Sequence, residues 1–579
     1  MDHLLFIGSN VFAFLASWFM ARLLVPRATA GERALLVAAG LPVVVLLPLK
    51  ALGAVGALNA NAATATVVLL AVGLGGLAWR RRDQVERIQS EPLRPHELAV
   101  VGALAALCVL LATDLGVGHL VHTFRYHWDD YSYHGPMPAH WIQRGDLGLS
   151  PYNYHAYYPG NGELFAAWFL LPSSYLSYAA LAGVFWFVLA ALAAFQLARN
   201  LGSSVYGALA AVLVLLVSKP FDGQAGSFAA VDLGAAALAA SAIALACAPA
   251  RAATDATDAT TISRGRLLYV GVLMGLAIGC KVTYAPIAVV TFLWLLWDRR
   301  VALARIPSAL LTLGLACVAG GFVWYLRNWI ITGNPLFPAD ILFFEGPLDA
   351  AARERTTLLF QWNEKLDDAG RDRALKQLLK WPPVVAYGVV AGYGLSLLAA
   401  LWPGAWKDPV GRRRLLLCIG GLLMLAVIVA GPFSGTANAK FAKLQIRLRF
   451  FLPVVLLGIP MLIHWLEQAR PLRVGLSVAV AAAAVIGAGA PVGLVAMATA
   501  VGLARGLAAP QVRERVPAWA GGALAFALLV GCATAADRAM VAKQPRREAL
   551  QRKEVKAWNV LDHVPTGARV TWFSSFDLY

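Results

Sequence analysis

Residues 97–134 read ELAVVGALAALCVLLATDLGVG followed by HLVHTFRYHWDDYSYH, an apolar run that stops in a wet, aromatic, acid-bearing segment. The first part has the length of a helix crossing about 30 Å of hydrocarbon at about 1.5 Å per residue. The second part opens a loop, His119 to Glu163, that holds six of the chain's ten histidines, a concentration of ionisable groups that marks it for chemistry. An apolar span that delivers a polar loop to one membrane face is the unit from which the rest of the chain is read.

Composition extends that reading to the whole chain. With 579 residues, 59% hydrophobic, 14% charged and a mean hydropathy of +0.65, the apolar side chains exceed what one soluble core can hide. The bilayer must act as solvent, and there every backbone polar group has to be satisfied within its own segment, which selects helices. The expected fold class is therefore an all-α polytopic membrane protein. Spans read near 5–23, 34–55, 62–78, 97–118, 176–198, 204–217, 228–247, 267–280, 284–297, 306–325, 382–402, 414–431, 450–466, 472–486, 491–504 and 516–535, about sixteen in all. Segments 267–297 and 472–504 each read either as a hairpin of short helices or as one long span.

The net charge of +17 would suggest a polyanion partner in a soluble protein. Here Arg80-Arg81-Arg82, Arg299-Arg300 and Arg412-Arg413-Arg414 sit at span ends, as the positive-inside bias requires, so the charge sets orientation and no nucleic-acid partner is expected. Placing the basic turns inside puts the N-terminus, the His119–Glu163 loop and a second large loop, Trp324 to Trp381, on the outer face; the stretch Asn363 to Lys380 is polar and amphipathic. The run Leu4–Leu24 lacks a basic leader and reads as a retained span of a multi-pass protein of the cell (inner) membrane. The six cysteines are scattered singly, which gives neither a disulfide framework nor a zinc site. Three regions follow: residues 1–96, extra N-terminal helices and a cytoplasmic linker; 97–535, the main membrane region; and 536–579, an outer C-terminal segment.

Several loops converge on the outer face, and each brings an unusual polar residue. Asp129 and Asp130 come from the first loop, Asp232 starts the span near 228–247, Lys281 sits at the tip of the 267–297 segment, Arg327 follows the span near 306–325, and Lys440, Lys443, Arg447 and Arg449 precede the span near 450–466. Cations at an outer face run against the orientation bias and call for an anionic partner such as phosphate. A carboxylate can take the proton of an acceptor hydroxyl while cations hold a departing phosphate, so the set suits a sugar transfer from a lipid-borne donor. Bland readings stand beside these. Asp232 equally caps its helix, Lys281 equally snorkels to the headgroups, and the loop tyrosines equally form an interfacial belt.

These residues carry a resemblance. Trp128-Asp129-Asp130-Tyr131-Ser132-Tyr133-His134 with Trp141 and Gly145, Tyr157-Tyr158-Pro159-Gly160-Asn161-Gly162-Glu163, Ala230-Val231-Asp232-Leu233, Gly275 to Thr283 around Lys281, Trp324-Tyr325-Leu326-Arg327-Asn328-Trp329 with Thr332 to Pro338, and Arg449-Phe450-Phe451-Leu452-Pro453 fall in the order found in bacterial GT-C glycosyltransferases. That group resembles the protein O-mannosyltransferases and the lipid A aminoarabinose transferase. The resemblance implies a GT-C-like helical bundle and an inverting transferase that moves a sugar from a polyprenyl-phosphate donor to a glycan, lipid or protein acceptor at the outer face.

By position it implies Asp129 as general base, Asp130 as helper or metal ligand, and Asp232 as a second acid near the donor. Lys281, Arg327 and Arg449 become phosphate holders, and His134, Tyr158, Glu163 and Asn328 line the substrate site. A divalent cation, Mg or Mn, is the one cofactor it leaves room for. The chain departs from the pattern in having three extra spans before the motif helix and a doubled acid, a D-D element shared with arabinofuranosyltransferases. A flippase or transporter of lipid-linked sugars, or a membrane polysaccharide polymerase or ligase, is the alternative class.

Overall fold

In the computed structural model, residues 2–82, 129, 133–150, 154–172, 176–216, 218, 229–249, 263–298, 303–340, 343–347, 383–402, 404–430 and 448–468 are described. The expected spans near 97–118, 472–486, 491–504 and 516–535, Asp130, and the region boundaries at 96 and 535 lie outside them.

The described residues are mostly helical. They run α1 (Asp2–Leu24), α2 (Ala30–Ala54), α3 (Ala60–Arg80), α4 (Pro136–Arg144), α5 (Asn161–Leu170), α6 (Ala180–Asn200), α7 (Val205–Leu216), α8 (Val231–Cys247), α9 (Arg264–Ile278), α10 (Ala285–Asp298), α11 (Ile306–Thr332), α12 (Pro383–Ala400), α13 (Pro409–Ala430) and α14 (Leu452–Gln468). Six of them, Leu4–Leu24 within α1, α2, α3, Leu181–Asn200 within α6, α11 and α13, are long and apolar enough to cross a membrane. The segment 267–297 is a hairpin of two helices, α9 and α10, that turns at Lys281.

Sequence dictates which helix lies at the centre. Every residue of α8 is buried, and its run of Ala, Gly and Ser lets α6, α9 and α14 approach closely. A Cβ on Gly234 would stand 2.9 Å from the ring of Trp186. By contrast Leu69, Val72, Leu311, Leu315, Val390 and Leu398 stay exposed on the outside of the bundle, where lipid replaces water as their solvent.

The α9–α11 crossing is tighter still. A Cβ on Gly275 would fall 2.0 Å from the Cys317 carbonyl oxygen, and one on Gly320 2.5 Å from that of Val272, so only glycine lets these backbones touch. This crossing sets how far apart the distal ends of α9 and α11 can lie.

Two departures from the sequence reading bear on the site. The His119–Glu163 segment is not all loop: Pro136 starts α4, Gly145 ends it in the left-handed region, and the short helix α5, fully buried, begins at Asn161. Helix α11 also runs to Thr332 rather than stopping near 325, so Arg327 and Asn328 sit in its last turns. Its polar end is sustained by loop carbonyls that no periodicity could foretell.

Candidate active site

One end of the bundle collects the polar segments singled out above. The link from α2 to α3 reaches the first loop through Leu58 N–H to the Gly145 carbonyl, 2.8 Å, and α5 joins the tip of the α9–α10 hairpin through Asn161 N–H to Gly279 O, 2.9 Å. At the centre Lys281 donates to Asp232, while its ammonium lies 4.6 Å from the ring centre of Phe450 in the turn that carries Arg449. Asp232 lies in the first turn of α8, two residues after Ala230, a non-glycine residue at φ +45. Such a backbone is costly for any residue with a Cβ, and here it delivers the carboxylate to the turn of the neighbouring hairpin.

Beside this pair, His134 and Glu163 are hydrogen-bonded through Nδ1 and Oε1 at 2.7 Å, and Glu163 is buried, its Oε2 lacking a hydrogen-bond partner among the described residues. His155 stacks face to face on Tyr133, 4.2 Å between ring centres, and meets Tyr158 edge-on. Burial, helped by the neighbouring His134 and opposed by Asp129, brings His155 down to about 4. His155 is thus a neutral imidazole at neutral pH within the field of Asp129. The chain of neighbours runs Asp129, His155, Tyr133, His134, Glu163, in the order that the folded loop imposes.

The end of α11 holds this loop in place. Arg327 donates to the carbonyls of Leu147, 3.2 Å, and Ala156, 2.5 Å, with its guanidinium over the Trp324 ring. Asn328 donates to the Tyr157 carbonyl at 2.7 Å. Trp324 stacks on Trp141 of α4, and a Cβ on Gly160 would meet the Trp141 ring at 2.6 Å, so this glycine is needed where the loop passes beneath the indoles.

The expected residues are thereby placed as follows. Asp232 and Lys281 are in contact; His134, Tyr158, Glu163, Arg327 and Asn328 form one network with the loop that carries Asp129; and Arg449 lies in the turn Leu448–Phe451. Asp130 lies outside the described residues. Two donors of Arg327 are committed to backbone carbonyls, an arrangement that secures the loop. Among the described residues no three His, Cys, Asp or Glu side chains stand together as cation ligands.

Three contributors escaped the sequence reading. His155 was one histidine among many, Asn161 one letter of a motif, and Lys50 a lone cation in an apolar run. That last pattern is itself a signal, because an ionisable residue inside a span is costly unless it has a task.

The site class these features define is a bundle of membrane-length helices with an acid, base and imidazole cluster at one end. No family model matches the chain, and no curated protein matches it. Among solved structures it is similar to the crystal structure of ArnT from Cupriavidus metallidurans bound to undecaprenyl phosphate, with a TM-score of 0.45 and 16% sequence identity, over 82% of this chain and 81% of that one.

Proposed function

We propose that the chain is a GT-C-type membrane glycosyltransferase that takes a sugar from a polyprenyl-phosphate donor and passes it, with inversion, to an acceptor hydroxyl at the outer face of the cell membrane. The observation that carries the reading is convergence: Asp129 and His134 of the first loop, Glu163 of α5, Asp232 of α8, Lys281 of the α9–α10 turn and Arg327 of α11 meet at one end of a helical bundle. The order of the sequence motifs supports the same reading.

In this reading the acceptor oxygen attacks the anomeric carbon in line and Asp129 takes its proton. The bond between the anomeric carbon and the phosphate oxygen breaks, and the polyprenyl phosphate leaves against Lys281 and Arg449. Asp232 holds the Lys281 ammonium towards that phosphate, and Asp130 assists Asp129. Arg327 keeps the acid-bearing loop in register and lends its charge to the cluster.

The test is transfer from a panel of radiolabelled polyprenyl-phosphate sugars in purified membranes, comparing wild type with Asp129→Asn and Asp130→Asn. Asp129→Asn is expected to lose about 10²–10⁴-fold in rate, the range of a positioned general base. Full transfer in both variants removes the base assignment. Donor uptake across vesicles with no transfer favours the flippase class instead.

A further inference from the structure

We propose that Lys50, contributed by one of the three helices that precede the motif region, is a positioning residue of the candidate active site. The N-terminal helices are thereby a working part of the catalytic unit rather than an attachment to it. The proposal rests on the transferase reading for its kinetic arm and on geometry alone for its structural arm.

Lys50 lies in the last turns of α2 and is 5% exposed, a cation inside an apolar bundle. Its ammonium donates to the Gly320 carbonyl of α11, the one hydrogen-bond acceptor it has among the described residues. The same carbonyl accepts from Asn161 Nδ2 of α5 at 3.0 Å. Both Asn161 donors are used, since Nδ2 also reaches the Leu276 carbonyl of α9 at 3.0 Å, and Oδ1 accepts from Trp324 at 2.8 Å. One backbone oxygen therefore gathers α2 and α5 onto α11, at the glycine-lined crossing where α9 and α11 touch.

What rides on this point is the chemistry-bearing surface. Glu163 is two residues beyond Asn161, Lys281 is five residues beyond Leu276, and Arg327 is seven residues beyond Gly320. Gly279 leaves the space that Asn161 occupies, since a Cβ there would stand 2.1 Å from Nδ2. Packing alone does not explain a lysine here, because an apolar side chain of similar length would fill the same volume without burying a charge. The ammonium instead fixes one carbonyl whose position sets three site-bearing elements.

The experiment uses the full chain in nanodiscs and compares Lys50→Met, Leu46→Ala, Asn161→Ala and the Lys50→Met/Asn161→Ala double variant. Leu46, fully buried on the same helix, is the control for loss of packing. Lys50→Met is expected to keep the wild-type melting temperature, to speed amide exchange locally over residues 155–164, and to lower kcat tenfold or more with donor KM unchanged. The double variant is expected to be no slower than the worse single one, because both residues act on one carbonyl. Leu46→Ala is expected to lower the melting temperature and leave kcat alone.

Unchanged exchange over 155–164 in Lys50→Met overturns the proposal, whatever the transfer assay gives. So does a melting-temperature fall with exchange spread along α2, as in Leu46→Ala. If wild type transfers no sugar from any donor, the transferase reading fails while the exchange arm still decides the clamp.

Discussion

The two ends of the bundle are both charged, yet they are built differently. At the basic end acids meet arginines one to one: Glu32 with Arg266 at 2.5 Å, Asp298 with Arg412 at 2.6 Å, while Glu467 accepts from Ser204. Each contact pairs one acid with one partner on another element, and Arg412 also donates to the nearby Trp406 and Lys407 carbonyls. At the opposite end the charged groups are strung together through imidazoles, indoles and loop carbonyls from α4 to α11. A buried ion pair is thus poor evidence of a site by itself. Convergence of several elements on one network is better evidence.

That contrast can be broken most readily at Lys281. If the proposed transfer holds, Lys281→Met removes the cation assigned to the lipid phosphate and is expected to reduce transfer by about 10²–10³-fold, the worth of a preorganised electrostatic contact. Lys407→Met, an exposed cation at the basic end, is expected to leave transfer unchanged. Equal losses in both would erase the distinction between the ends.

A smaller effect is expected at Arg327. Replacing it with lysine leaves a charge but not the fork that reaches two carbonyls, and thermal unfolding in nanodiscs should report a loss of about 1.5–3 kcal/mol. No change in stability would mean that the loop is held by its other contacts, chiefly Asn328 and the indole stack.

A pH slope is expected at His155. Burial holds His155 at about 4 in the fold against 6.5 for the free side chain, so between these values the unfolded chain binds a proton that the folded chain refuses. Stability is present above about 6.5 and is lost as pH falls towards 4. In melting curves taken across that window, His155→Gln should flatten the slope relative to wild type. A steeper slope in the variant contradicts the sign.

How much of this was legible in the sequence follows from the physics of each part. The helices α1 to α3, α6 to α11 and α12 to α14 were legible as apolar runs, six of them of membrane-crossing length, and most of their observed bounds fall close to the runs. The short helices α4 and α5 were not, since α5 is buried by its neighbours rather than by lipid and carries no amphipathic period of its own. The end of α11 was misplaced because Arg327 and Asn328 look like a loop until the carbonyls they bind are known. Asp232 and Lys281 were each legible as unusual residues, but their contact joins positions 49 apart and exists only once α8 and the hairpin pack. Lys50 was hidden for the opposite reason, since one charge barely alters the hydropathy of a 25-residue helix.

The most direct test sets one substitution against its twin at the other end. Asp232→Asn and Asp298→Asn remove the same charge from an ion pair, the first with Lys281 and the second with Arg412. Transfer rate and melting temperature should be measured for both in the same nanodiscs. Asp232→Asn is expected to abolish most transfer at a near wild-type melting temperature, and Asp298→Asn to lower the melting temperature while the folded fraction still transfers sugar. Normal transfer by Asp232→Asn, with the loss falling on Asp298→Asn, would contradict the account.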